Sequence, residues 1–389
     1  MSNPFDLDNP IFWATCAPST EKALKFELEK LGAQILDRRR GALKFTGPLS
    51  LVARANVFSR IAQKILWQLK TFEAESTEAL QEQLITFPFE KILDVKTTFA
   101  CASHLYQAPL NHSHYAALLI KDCIADRFTN LGKNRPDVDA KTPACRFILS
   151  WFGKEAILSL DTTGKPLFKR GYRAPGAKAP LHENLGAALL SIAHADVRRP
   201  FWDPCCGTGT LGIEQAMRCL DIAPSKSRRF AFERWSKAPR VLARLVKEAR
   251  EEALDKERKS LKSPIIISDW NDNAVMIAKE SVHNAGLEQF IEVRTMDARD
   301  VQFTGTNFQL VSNLPYGERL GDVKTKGKLQ LDGLYRQLGE KWSALPKPMR
   351  VIILSGLAGA GKTMNLGNNK RWDMQNGGLN VRLYRWDLS

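Results

Sequence analysis

The chain has 389 residues, 44% of them apolar, and a formal net charge of +15, with an isoelectric point near 9.5. That length suits two or three domains with real cores, and so positive a balance points to a polyanionic partner, most commonly nucleic acid. Seven cysteines without a C-x-x-C pair argue against a disulfide framework or a structural zinc site; no apolar run approaches a membrane span, and MSNPFDLDNP has neither the basic start nor the apolar core of a signal peptide, so a cytoplasmic protein without membrane or metal partners is expected.

In chain order, "IFWATCA" predicts a strand and "STEKALKFELEKLG" a capped amphipathic helix, with Ala23, Leu24, Leu28 and Leu31 at helical spacing and Gly32 as its stop. "ALKF" predicts a second strand and "LSLVARANVFSRIAQKIL" a second helix. Residues 66–163 hold a helix in "TEALQEQLITF", a strand in "TTFACAS", a long helix in "HYAALLIKDCIADRFTNLG" and a hairpin in "CRFILSWFGKEAILSLDTTG" turning at Gly153-Lys154. Two small α/β units result.

"GKPLFKRGYRAPGAKAP", residues 164–180, has the Gly, Pro and basic composition of a linker. Its Lys165, Lys169, Arg170 and Arg173 are candidate phosphate contacts. From residue 181 long helices alternate with buried strands: "ENLGAALLSIAHA" helix, "FWDPCCGTGTLGIEQAMRCL" strand–loop–helix, "PIIIS" strand, "NAVMIAKESVHNAG" helix, then strands in "FIEVRTMD", "FQLVSNLPY" and "MRVIILSG". Continuous apolar runs such as "PIIIS" mark parallel strands buried on both faces, and the alternation predicts a doubly wound α/β sheet. Residues 224–262 interrupt it with 13 Lys/Arg against 6 Asp/Glu, as a mostly helical, solvated insertion with a share of RNA contact.

"DPCCGTGTLG" contains Gly207-x-Gly209-x-x-Gly212. For NAD an acidic residue should follow about 20 residues later, at the end of the next strand; here that strand comes much later. The flanks point elsewhere. Asp203 and Pro204 precede the glycines and Glu214 lies in the following helix. A carboxylate there suits a ligand with a cationic amino group and no pyrophosphate, as in S-adenosylmethionine (SAM). Gly207 and Gly209 let the backbone approach the ligand. Asp269, ending the next strand, can accept from ribose hydroxyls, and Asp297, after "IEVRTM", from an adenine amine. Singly each aspartate has the look of a helix cap or turn former; together, at successive strand ends of one sheet, they fall where such sheets bind ligands.

"SNLPYGERL" follows the strand "FQLV". A ring-conjugated amine is a weak nucleophile because its lone pair is delocalised. The Asn313 side-chain oxygen and the Leu314 carbonyl can accept from its two N–H groups and turn the lone pair toward a methyl donor. Pro315 stiffens the turn, and Tyr316 offers a face for an unstacked base. With an activated methyl, positioning is most of the work.

"GLAGAGKT", residues 356–363, matches the phosphate-loop pattern G-x-x-x-x-G-K-[ST] without a mismatch. A real phosphate loop runs directly into a helix, and Met364-Asn365-Leu366-Gly367-Asn368-Asn369 is a poor helix former. The match is taken as chance in a Gly-rich turn.

"LDTTGKPLFKRGYR", "APLHENLGAALL", "DPCCGTGTLGIEQAM", "DIAPSKSRRFAFERW" and "SNLPYGERL", with "FWATCAPSTEKALKFELEKLGA" and the late "NGGLNVRLYRW", resemble the THUMP-containing, class I SAM-dependent 23S rRNA guanine-N2 methyltransferases of bacteria over nearly the whole chain. The resemblance implies a ferredoxin-like unit over 1–65, an RNA-gripping THUMP domain over 66–163, a basic linker over 164–180 and a Rossmann-like methyltransferase domain over 181–389. It places Asp203, Pro204, Gly207 and Gly209 on the methionine side of SAM, Asp269 and Asp297 on its ribose and adenine, and Asn313, Leu314, Pro315 and Tyr316 on the target guanine, with Asn313 also facing the cofactor. The family usually has N-P-P-Y, so Leu314 implies a less rigid loop, and Asn271 stands where an acidic residue is usual. The expected activity is methyl transfer to a guanosine 2-amino group, the base flipping into the pocket. The alternatives are N6-adenine methylation of RNA or DNA, or a non-catalytic rRNA-binding assembly factor.

Overall fold

The computed structural model describes residues 4–176, 181–316 and 326–389. The chain forms two compact units, one of Met1–Cys16, Lys25–Leu167 and Ser225–Glu252, the other of Ala17–Leu24, Phe168–Pro224 and Ala253–Ser389. Among the described residues no helix is long and apolar enough to cross a membrane.

The first unit contains β1 (Ile11–Thr15), α1 (Glu21–Lys30, whose first residues fall in the second unit), β2 (Gln34–Arg39), β3 (Ala42–Thr46), α2 (Ser50–Phe58), β4 (Lys64–Glu73), α3 (Thr77–Thr86), β5 (Phe99–Tyr106), α4 (Ser113–Asn130), β6 (Cys145–Phe152) and β7 (Glu155–Asp161). Its strands form one sheet in the order β2-β3-β1-β4-β7-β6-β5. The two α/β units read from the sequence therefore share a sheet, and residue 65 lies inside the strand that joins them. Lys64–Trp67 of β4 pair with β1, and Leu66–Glu73 pair with β7.

The second helix is shorter than its apolar pattern predicts. It stops at Phe58 because the Glu27 carboxylate draws in the next three residues: it accepts from Ser59 Oγ and from the backbone N–H groups of Arg60 (2.9 Å) and Ile61 (3.3 Å). Three donors aimed at one carboxylate turn the chain out of the helix, and Ile65-Leu66 go into β4. Burial nonetheless raises the Glu27 pKa.

The basic insertion also differs from expectation. Its Ser225–Glu252 portion belongs to the first unit, which breaks the span 181–389 expected as one domain. Phe230, Phe232, Trp235 and Leu242 are buried. Ala231 and Phe232 donate backbone N–H bonds to Thr163 and Thr162, and Arg54 grips Glu252 through two bonds of 2.9–3.0 Å.

The second unit contains α5 (Glu183–Ile192), β8 (Phe201–Asp203), α6 (Thr210–Cys219), the last residues of α7 (Val241–Asp255), β9 (Ile265–Asp269), α8 (Asp272–Asn284), β10 (Ile291–Thr295), β11 (Phe308–Asn313), α9 (Lys326–Ser343), β12 (Met349–Ser355), α10 (Ala360–Met364), β13 (Lys370–Asn376) and β14 (Leu379–Leu388). The strand order is β10-β9-β8-β11-β12-β14-β13, parallel from β10 through β12, with β14 antiparallel to both β12 and β13. Alternate strand residues face opposite cores. Ile265, Ile267, Val311 and Ile352 pack with residues of α5, α6 and α8, and Ile266, Leu310, Val351 and Ile353 pack with residues of α9 and α10. The chain leaves β8 toward β9 and β10 and returns on its other side as β11 and β12, so the strand order reverses between β8 and β11. The crevice beyond the carboxyl ends of those strands is where such sheets bind ligands.

Helix α6 lies close on β9 because Gly212 has no side chain; a Cβ there would stand 2.3 Å from Ile267 Cγ2. Isoleucine is stiff at χ1, so the contact cannot be relieved cheaply. Gly212→Ala is expected to lower stability by about 1–3 kcal/mol in urea denaturation; an unchanged midpoint would mean that α6 does not seat on β9 as described.

Candidate active site

The residues singled out from the sequence lie at the carboxyl edge of the second unit's sheet. Asp203 ends β8, and its side chain is 1% exposed. Its Oδ1 accepts from Ser312 Oγ at 2.6 Å and from the Cys205 N–H at 3.3 Å. The Cys205 N–H also donates to Ser312 Oγ at 3.2 Å. Burial pushes the Asp203 carboxyl up to about 7; the Ser312 and Cys205 bonds pull the other way, and the charge of Asp269 adds to the rise. Pro204 is buried in the turn beyond it.

That turn carries the glycines. Gly207 and Gly209 have φ of 53° and 78°, a region that favours glycine. A Cβ on Gly207 would meet nothing within 4 Å, whereas one on Gly209 would approach Ile267 Cδ1 at 3.1 Å. The first glycine thus leaves open space at the crevice, and the second seats the loop on β9. Cys206 donates its N–H to the Ser268 carbonyl at 2.9 Å; the cysteine pair serves as a compact turn.

Asp269 ends β9. Its Oδ2 accepts from the Gly207 N–H at 3.0 Å and its Oδ1 from the Asn271 N–H at 3.1 Å. Asn271 caps α8, its Oδ1 accepting from Asn273 and Ala274, a role asparagine fills as well as aspartate. Trp270, between them, is 71% exposed.

Asp297 lies just after β10, and the Met296 N–H donates to the Asp269 carbonyl. Its carboxylate is engaged with Arg299: Arg299 N and Nε donate to Oδ1 (2.8 and 2.9 Å) and Nη2 to Oδ2 (2.6 Å), and this holds its pKa below the ordinary value. Here the aspartate is a cap and an ion-pair partner.

Asn313 ends β11, and its Oδ1 is buried with no hydrogen-bond partner among the described residues. A buried amide oxygen left unpaired costs free energy, so it marks an acceptor with capacity to spare. The next three residues are clamped. Leu314 is fully buried, and its N–H donates to the Leu354 carbonyl at 3.1 Å, extending the β11–β12 ladder in a way a proline could not. The Pro315 carbonyl accepts from the Tyr335 hydroxyl at 3.1 Å, and that hydroxyl lies 2.7 Å from Ser355 Oγ. Asn376 Nδ2 donates to the Tyr316 hydroxyl at 2.7 Å. The less rigid loop expected from Leu314 is not what these bonds describe.

Further expectations are corrected. Tyr316 is 3% exposed and its ring lies against Gly356, where a Cβ would approach to 2.6 Å; the open stacking face read from the sequence is covered. Glu214 is buried and binds Arg170 Nε (3.2 Å) and the Tyr172 hydroxyl (3.1 Å). Both side chains of this ion pair are buried, so the Glu214 carboxylate read as a partner for a cationic ligand is held by Arg170 instead. Arg173 is similarly committed to Glu183, Thr208 and the Leu181 carbonyl, so the segment read as a linker, from Phe168 on, packs within the second unit. Residues 177–180 of that segment, and 317–320 of "SNLPYGERL", lie outside the described residues.

Ser312, Tyr335 and Asn376 are site residues that the sequence did not disclose. Ser312 precedes Asn313 directly, but only the pairing of β11 beside β8, Leu310 opposite Trp202, shows that its hydroxyl meets Asp203.

Residues 170–384 match the RMKL-like methyltransferase domain family, residues 12–66 the RlmL ferredoxin-like domain and residues 74–161 the THUMP domain. The chain belongs to the RMKL-like methyltransferase family. It is 34% identical to the ribosomal RNA large subunit methyltransferase K/L of Syntrophotalea carbinolica, over 98% of this chain and 54% of that one. The chain spans about half the length of the curated relatives it matches. Among solved structures, the SMU.472 protein complexed with SAH superposes with a TM-score of 0.86 at 28% identity, over 98% of each chain. A predicted N6-adenine-specific DNA methylase from Listeria monocytogenes superposes with a TM-score of 0.86 at 26% identity, over the whole of both chains. The architecture is thus a class I methyltransferase sheet preceded by ferredoxin-like and THUMP domains.

A carboxyl raised to about 7 favours the folded state while it is protonated. Its contribution is fully present below the ordinary value near pH 4 and is lost as pH rises through 7. Urea denaturation of the ligand-free protein from pH 5 to 8 should show a decline in stability that Asp203→Asn does not share; identical profiles would mean that Asp203 ionises normally.

Proposed function

We propose that the protein transfers the methyl group of SAM to the exocyclic 2-amino group of a guanosine in 23S rRNA. The observation that carries this is the unpaired, buried Asn313 Oδ1, one residue beyond the serine that holds Asp203.

The donor set fits SAM. Asp203 is a buried carboxylate with no cation among its hydrogen-bond partners in the described residues, as a site for a cationic methionine head requires. The space beside Gly207 admits a ligand against the backbone, Asp269 stands beside it to receive hydroxyls, and Trp270 supplies exposed aromatic surface for a purine. When bound, SAM supplies an electrophilic methyl on a sulfonium. The chain's own residues do the rest by placement. Asn313 Oδ1 and the Leu314 carbonyl accept the two amine N–H groups and turn the nitrogen lone pair toward the cofactor side. The bonds from Tyr335, Asn376 and the Leu314 N–H keep the acceptors fixed, so little reorganisation is needed at the moment of transfer. The nitrogen would gain the methyl as the methyl–sulfur bond breaks, its electron pair staying on the sulfur of the departing S-adenosylhomocysteine, and would release one proton to solvent.

The net charge of +15 and the THUMP match support RNA as the substrate, and the names of the curated relatives support large-subunit rRNA. The Listeria neighbour's name keeps adenine N6 as the competing amine, since the same pair of acceptors would hold it.

The test is to incubate the protein with unmodified 23S rRNA and methyl-labelled SAM, digest the RNA and identify the labelled nucleoside by mass spectrometry. Label in N2-methylguanosine is expected; label in N6-methyladenosine would keep the site and overturn the substrate. Asn313→Ala should lower turnover at least about a hundredfold with RNA binding retained. Unchanged turnover would remove Asn313 from the site.

A further inference from the structure

The phosphate-loop match has no part in the chemistry above, yet it borders two hollows beside the β13–β14 hairpin. The first, about 430 Å³, is lined by Ser355, Gly356, Asp373, Asn380 and Arg382 among others. It adjoins the clamped loop, because Gly356 lies against Tyr316 and Ser355 against the Tyr335 hydroxyl that holds Pro315. The second, about 360 Å³, is lined by Gly359, Gly361, Lys362, Asn369, Arg371 and Arg382 among others. Arg382 borders both. Arg382 is paired with Asp373 of the first hollow (2.6 Å), whereas neither Lys362 nor Arg371 of the second has an ion-pair partner among the described residues. Cationic side chains meeting at a hollow edged by glycine backbone and asparagine amides make a site for an oxyanion.

A nucleoside triphosphate is not the anion this geometry suits. Gly356 and Gly361, which a phosphate loop would fold around its ligand, are occupied by aromatic packing: a Cβ on Gly361 would stand 2.7 Å from the Tyr384 ring. The helix here, Ala360–Met364, has only five residues, includes Gly361 and ends in left-handed Asn365, and Asp373, the acid lining the adjoining hollow, is already paired with Arg382 rather than free for Mg²⁺.

We infer that the second hollow binds a backbone phosphodiester of the substrate RNA, next to the strand segment whose target base enters at Asn313 and Leu314, and that the first hollow receives the nucleotide between them. The inference rests on the RNA reading of the function. Lys362 and Arg371 contact phosphate and therefore position the strand without selecting its bases.

Equilibrium binding of the full chain to a 23S rRNA transcript, measured over a salt series, tests the hollow separately from the chemistry. Each lost phosphate contact lowers the slope of log affinity against log salt by about 0.7–0.9. Lys362→Ala with Arg371→Ala is expected to weaken binding and lower the slope by about 1.4–1.8, with an unchanged melting temperature and an unchanged labelled nucleoside. Lys262→Ala with Lys279→Ala, both exposed in the same unit, removes the same charge elsewhere and should leave the slope closer to wild type. Equal slopes in the two double variants would reduce the effect to net charge and overturn the inference. So would Mg²⁺-dependent ATP binding by the wild type that Lys362→Ala abolishes. A wild type that binds the transcript but labels no guanosine would count against the proposed function, while the salt slopes would still decide the hollow.

Discussion

The hydrogen bond from Ser312 to Asp203 is the constraint around which the site is assembled. It joins the ends of β8 and β11, the two strands between which the sheet reverses order, and it does so inside the protein. A buried carboxylate is tolerated only with compensation, and here the compensation among the described residues is partial: one hydroxyl, one long backbone N–H and no cation. The ligand-free protein therefore keeps an electrostatic deficit at its switch point, visible in the raised Asp203 pKa. A cation delivered there relieves it. The deficit is tolerable because the surrounding sheet is rigid, with continuous apolar strands β9 and β12 covered by helices on both faces. Stability lies in the layers, and two groups with acceptor capacity to spare, Asp203 and Asn313 Oδ1, stand at their edge.

Features were legible in the sequence to the extent that their causes are local. β9 was readable because its apolar residues prefer burial in an unbroken run, and the glycine loop because its φ values and its close helix–strand approach both require glycine. The overrun of α2 came from a cause about thirty residues away: Glu27 draws three donors out of a stretch that is locally helical. The shared sheet of the first unit was hidden in β4, whose two ends pair with different partners, and no local pattern announces a strand that serves two α/β units at once. At the site, residue types and strand ends were legible, whereas side-chain commitments were not. Glu214 and Asp297 have the right charge in the right places, but Arg170 and Arg299 already hold them. Tyr316 has the right ring, but Gly356 lies against it.

Leu314 shows how one substitution can exchange one source of rigidity for another. A proline at this position fixes φ and gives up its N–H. Leucine keeps φ free but donates to Leu354 and buries its side chain completely. The loop is held from both sides of the sheet edge by groups from later elements, Tyr335 of α9 and Asn376 at the end of β13. Those groups lie outside the motif itself, so its stiffness cannot be judged from the motif alone.

Packing also accounts for the phosphate-loop match. The glycines of "GLAGAGKT" recur at a spacing that signals nucleotide binding, yet two of them answer to aromatic rings. Gly356 makes room for Tyr316 and Gly361 for Tyr384, where only a hydrogen atom fits between loop and ring. An identical sequence pattern thus arises from packing against Tyr316 and Tyr384 rather than around a triphosphate. Because the loop is drawn down onto those rings, its lysine is carried to the surface beside Arg371. The packing that rules out the motif's usual ligand is also what sets these two cations beside the hollow where an RNA strand is proposed to run.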